Sequence, residues 1–134
     1  MNKEFVPYEI ALELKKLGFD EICFATWKEK IQLSFKYCYL TNKALVGNSL
    51  GIICTAPLYQ QVFRFFREKW GLSSSVHLAM SDNKRKIWYN IHELDNRLVS
   101  GMYFKSYPKG MFKTYEQAEL ECLKKLIEIC KKKN

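Results

Sequence analysis

Close cysteine pairs, long apolar runs, histidines and glycine-rich loops are scarce or missing in this 134-residue chain. No run of about 18 apolar residues occurs, which excludes a membrane-spanning helix. The start, MNKEFVPYE, carries acidic residues and no apolar stretch, so it does not read as a secretory signal. The expectation is a cytoplasmic protein with no membrane partner. Cys23, Cys38, Cys54, Cys122 and Cys130 lie far apart, and the only histidines, His77 and His92, are distant from all of them. Zinc ligands are usually seeded by close pairs, so no metal site is expected. An odd number of cysteines without a signal segment points to reduced thiols used as small core residues. Gly47-Asn48-Ser49-Leu50-Gly51 lacks the lysine and the following helix that a phosphate loop needs. No cofactor is implied. With two imidazoles and no base placed next to a nucleophile by spacing, no catalytic residue is assigned, and the balance leans away from an enzyme.

What is present is a core, a charge and many aromatics. A hydrophobic fraction of 48% is enough for one domain over residues 1–134. The net charge of +8 favours anionic partners, although Lys131, Lys132 and Lys133 also suit a helix C-terminus. Residues 56–72, APLYQQVFRFFREKWGL, form the most apolar helical pattern. Pro57 suits the first helical position and Gly71 a left-handed cap. Leu58, Tyr59, Val62, Phe63, Phe65, Phe66 and Trp70 fall on one arc, with Gln60, Gln61, Arg64, Arg67 and Glu68 on the other. This reads as the central core helix.

A first helix is predicted over 7–17, from Pro7 to a stop at Gly18, with Ile10, Ala11, Leu14 and Leu17 as its apolar stripe. Residues 22–27 and 31–40 read as a hairpin, because Ile31, Leu33, Phe35, Tyr37 and Tyr39 alternate with polar residues and Cys38. Residues 41–55 show no period and carry turn formers, so they read as a long connection. Strands are predicted at 76–80, 87–94 and 102–107, the first two separated by a polar turn at 81–86. Thr114 to Gln117 is a capping box that opens a last helix, with Ala118, Cys122, Leu123, Leu126, Ile129 and Cys130 inward. The fold class is α+β: three main helices on one face of a mostly antiparallel sheet, in the order α-β-β-α-β-β-β-α.

Three blocks, VPYEIALELKKLGFDEICF, APLYQQVFRFFREKWGL and TYEQAELECLKKLIEIC, resemble a family of small uncharacterised proteins of tailed phages and prophages, notably in Bacteroidetes. The resemblance implies a phage or prophage accessory protein in the cytoplasm of a bacterial host. It implies no activity.

The chemistry-bearing pattern is basic residues interleaved with aromatics after the central helix. Lys84, Arg85 and Lys86 precede Trp88; Lys105 stands between Tyr103 and Tyr107; Lys109 and Lys113 follow. Cations hold phosphates and aromatic faces stack on bases, which is what nucleic acid or a nucleotide needs. The expected partner is therefore a phosphate-bearing ligand, first of all nucleic acid. Two alternatives stand beside it: sequestration of a small anionic nucleotide such as a host defence signal, and antagonism of a host protein through the 41–55 connection.

Overall fold

Residues 2–45, 51–93, 98–101 and 112–133 are described by a computed structural model of the chain. The elements run α1 (Tyr8–Lys16), β1 (Ala25–Lys28), β2 (Gln32–Ser34), β3 (Ile52–Ala56), α2 (Tyr59–Trp70), β4 (Leu72–Ser81), β5 (Lys84–Glu93), β6 (Leu98–Gly101) and α3 (Tyr115–Lys133). The α+β class and the three helices are as expected. The strands, however, form two three-stranded antiparallel sheets, ordered β2-β1-β3 and β4-β5-β6, rather than one. The chain divides into two compact units, 1–62 and 63–134.

In the first unit, α1 buries Ile10, Ala11 and Leu14 and packs on β3. Gly18 takes a φ of 92°, and Phe19 N–H reaches back to the Leu14 carbonyl at 2.9 Å while Gly18 N–H bonds the Lys15 carbonyl at 3.1 Å. This is the Schellman closure, and it folds Phe19 into the core. Two expectations are corrected here. The predicted strand 31–40 shrinks to β2, because β1 is short and pairs only Thr26, Trp27 and Lys28 with it. Ile31 sits at φ 57° before it, and Tyr39 at φ 59° after it. The alternating apolar residues Ile31, Phe35 and Tyr39 therefore stay exposed. The connection 41–55 is not one loop. Its second part supplies β3, whose β-formers pair with β1. Its first part is pinned by buried Asn42, which donates to the Phe19 carbonyl at 2.8 Å and accepts from Thr55 N–H at 3.0 Å. Residues 46–50 lie outside the described residues.

Pro57 does not open α2 either. Its carbonyl accepts from Val6 N–H at 3.0 Å, and the helix starts at Tyr59. Gln61, expected on the solvent arc, instead accepts from Leu58 N–H at 3.0 Å and donates to the Ile22 carbonyl at 2.7 Å. Along α2, Val62, Phe65 and Phe66 are buried, and Gln60, Arg64, Arg67 and Glu68 are exposed, which follows the predicted arc. Gly71 closes the helix at φ 67°.

The second unit is a β4-β5-β6 meander with α3 lying on β4 and β5. The capping box at 114–117 is present in a shifted form. Gln117 N–H donates to Thr114 Oγ1 at 3.1 Å, and the Gln117 side chain takes Lys113 N–H at 3.2 Å. The buried arc of α3 is turned slightly from the predicted one: Ile127 is buried, and Ile129 lies at its edge. β6 begins ahead of the strand predicted at 102–107, and that stretch lies outside the described residues.

All five cysteines are free thiols, and Cys23, Cys54, Cys122 and Cys130 are buried. Burial raises the Cys122 thiol to about 12, and the other three to about 11, from an ordinary 9.0. The folded protein thus keeps protons that the unfolded chain releases first, so these thiols withdraw stability as pH rises through 9 toward 12. A thiol reagent applied to the native protein at pH 8 should label Cys38 quickly and the four buried thiols only on unfolding. A mass-resolved labelling time course checks this, and early modification of Cys122 would contradict it.

Candidate nucleic-acid interface on the β4-β5 hairpin

A two-residue turn positions the basic segment. Asp82 and Asn83 both have positive φ, 52° and 59°, which is the type I′ geometry that matches strand twist. Asn tolerates this region better than most residues because its short side chain bonds locally. The loop predicted at 81–86 is therefore much tighter, and Lys84, Arg85 and Lys86 belong to β5. The turn also sets a ten-pair register without a break, from Ser81–Lys84 through His77–Trp88 to Leu72–Glu93.

Strand alternation then sorts the residues into two faces. One face carries Leu72, Ser74 and Val76 from β4, with Ile87, Tyr89 and Ile91 from β5. It is the face under α3. The Ser74 side chain lies beside the Cys122 thiol of α3 and acts to lower its pKa against the larger effect of burial. Phe112 stacks on Tyr89 with ring centroids 6.0 Å apart, and its N–H bonds the Ile87 carbonyl at 3.1 Å. The opposite face carries Ser73, Ser75, His77 and Ala79 from β4, with Lys84, Lys86, Trp88, Asn90 and His92 from β5. None of these side chains is fully buried.

On that open face, His77 and Trp88 stack across the strands with ring centroids 5.2 Å apart and planes 22° from parallel. His77 Nε2 lies 2.8 Å from Ser75 Oγ and 3.4 Å from Asn90 Nδ2. Both partners can donate when the imidazole is neutral with its proton on Nδ1. Lys84 and Lys86 extend the row toward the turn. Neither they nor Arg85 form an ion pair with any described residue. By contrast, the cations of the C-terminal helix are largely neutralised: Lys124, Lys125, Lys132 and Lys133 each face a glutamate within 4 Å.

Of the residues singled out by sequence, the structure brings Lys84, Lys86 and Trp88 onto one face. Arg85 belongs to the opposite face. Lys113 is exposed at the start of α3, following the Phe112 that bonds the edge of β5, and does not join the row. Tyr103, Lys105, Tyr107 and Lys109 lie outside the described residues. Ser75, His77 and Asn90 are the members that sequence reasoning missed. Alternation had separated His77 from Val76 and Leu78, but only the turn register reveals that it meets Trp88.

Ser75 and His77 form a hydroxyl–imidazole pair of the kind that activates a nucleophile. Among the described residues no group holds His77 Nδ1, so the third member that orients such a base is missing from the arrangement. No cluster of three His, Cys, Asp or Glu suited to a metal ion occurs among the described residues. None of their helices is long and apolar enough to cross a membrane. Searches of family models, curated proteins and solved structures return no match to this chain.

Asn83→Val tests the turn that carries this face. A β-branched residue at φ 59° should cost roughly 1–2 kcal/mol, whereas Asn83→Gly should be neutral or stabilising. Urea midpoints of the two variants check the prediction, and equal midpoints would contradict it.

Proposed function

We propose that this chain is a phage or prophage accessory protein that binds nucleic acid, by its phosphates and bases, on the open face of the β4-β5 hairpin. The observation that carries the reading is the single row of Lys84, Lys86 and Trp88, with His77 stacked on the indole and Asn90 beside it. Unpaired lysines supply phosphate attraction. The indole–imidazole pair supplies aromatic surface of the kind on which bases stack. A sheet face suits single strands, whose bases can be splayed onto it. The binding is read as non-catalytic, since among the described residues no group orients the imidazole.

A second reading has its own observation. Ile22, Phe24 and Tyr39 are exposed in the first unit, with Phe24 and Tyr39 in edge contact at 5.7 Å. An apolar surface of this kind suits a protein partner, and it lies outside the 41–55 segment first considered for that role.

Titration with a fluorescent single-stranded oligonucleotide at two salt concentrations tests the main reading, with cyclic and linear nucleotides as competitors. Trp88→Ala should lose about 1–3 kcal/mol per stacked base with little change in salt slope. Lys86→Ala should lose less at moderate salt and flatten the slope by about one phosphate contact. Circular dichroism confirms that both variants are folded. Oligonucleotide affinity weaker than about millimolar in folded wild type, about 4 kcal/mol of binding, would overturn the proposal. Tighter binding of a mononucleotide than of the oligonucleotide would redirect it to nucleotide sequestration.

A further inference from the structure

Among the described residues, β4 is an edge strand of its sheet, ten residues long. Pairing with β5 alternates hydrogen-bonded and non-bonded positions. The I′ turn makes Ser81–Lys84 the first bonded pair, so Met80, Leu78, Val76, Ser74 and Leu72 direct their backbone N–H and C=O groups away from β5. None of these outward groups has a hydrogen-bond partner among the described residues. Natural edges of this length are usually protected by charge, proline or a bulge. β4, LSSSVHLAMS, has no Lys, Arg, Asp, Glu or Pro, and its pairing with β5 is free of bulges. On the face that α3 covers further along, Leu78 and Met80 are 55% and 67% exposed.

We infer that β4 pairs with β4 of a second copy of this chain, antiparallel about a two-fold axis through Leu78, to form a continuous six-stranded sheet. Three observations select a second copy. The edge needs a strand partner whose own edge is open, and β4 is one. A chain of net charge +8 repels its copy over most of its surface, but this strand is uncharged and permits approach. The strand is also self-complementary. With Leu78 opposite Leu78, Met80 meets Val76 of the second copy and Val76 meets its Met80, so the exposed apolar side chains cover one another. The outward backbone groups then fall in hydrogen-bonded pairs, as the ladder requires. The inference does not rest on the ligand reading. It adds to it, because Trp88, His77, and Ala79 and Lys86 of the second copy would share one row, with the two β5 strands about 14 Å apart.

Sedimentation velocity from micromolar to about millimolar tests the inference by charge exchange at the axis. Wild type should show a concentration-dependent dimer. Leu78→Lys and Leu78→Glu should each be monomeric, since each places like charges face to face, and an equimolar mixture of the two should recover the dimer. Exposure of Leu78 makes both variants compatible with folding; Met80→Lys, at the more exposed site, is the substitute if either loses its dichroism. A wild type that stays monomeric throughout overturns the inference and leaves the edge to a different strand. Leu78→Lys dimerising as wild type does, or a mixture that fails to associate, overturns it as well.

Discussion

The pairing register of β4 with β5 is the constraint on which the second unit depends. Because side chains alternate along a strand, a slip of one residue would exchange the two faces entirely. The turn at Asp82 and Asn83 holds the register at one end through two left-handed residues. The apolar set Leu72, Ile87, Tyr89 and Ile91 holds it along the length by its burial. Once that set is committed to α3, Lys84, Lys86, Trp88, His77 and Asn90 have only the other side to occupy. Core packing and the candidate interface are two results of one alternation.

The elements that were legible in sequence are those with local causes. Gly18 and Gly71 adopt the left-handed conformations that their positions implied, and Thr114 caps α3. The buried residues of α1 and α2 follow their apolar arcs. The failures share a different origin. Alternation over 31–40 looked like a strand, but a strand exists only as far as its neighbour, and β1 is four residues long. β3 was hidden in a segment without period because it is buried almost throughout, which removes the polar alternation that marks a half-exposed strand. Gln61 and Asn42 bond backbone groups far away in sequence, at Ile22 and Phe19, so no local pattern announced them. For the site, the sequence cluster of basic and aromatic residues was visible, but its division between two faces required the register, as did the arrival of His77.

The chemistry of the open face follows from what each group leaves unused. Salt bridges neutralise lysines along α3, while those of the hairpin face solvent. The indole of Trp88 is half-buried and stacks on the His77 imidazole. The uncharged outer edge of β4 borders the same face. The proposal of nucleic-acid binding rests on this combination of lysines outside any described ion pair, an aromatic pair and a strand edge.

Nuclear Overhauser spectroscopy on the isotopically labelled protein tests the central claim most directly, because it reads the register without reference to any ligand. The account predicts cross-peaks between the rings of His77 and Trp88, together with contacts from Ile87 and Ile91 to side chains of α3. Contacts from Trp88 to Cys122, Leu123 or Leu126 in place of His77 would show the hairpin paired one residue out, and would remove the interface together with everything inferred from it.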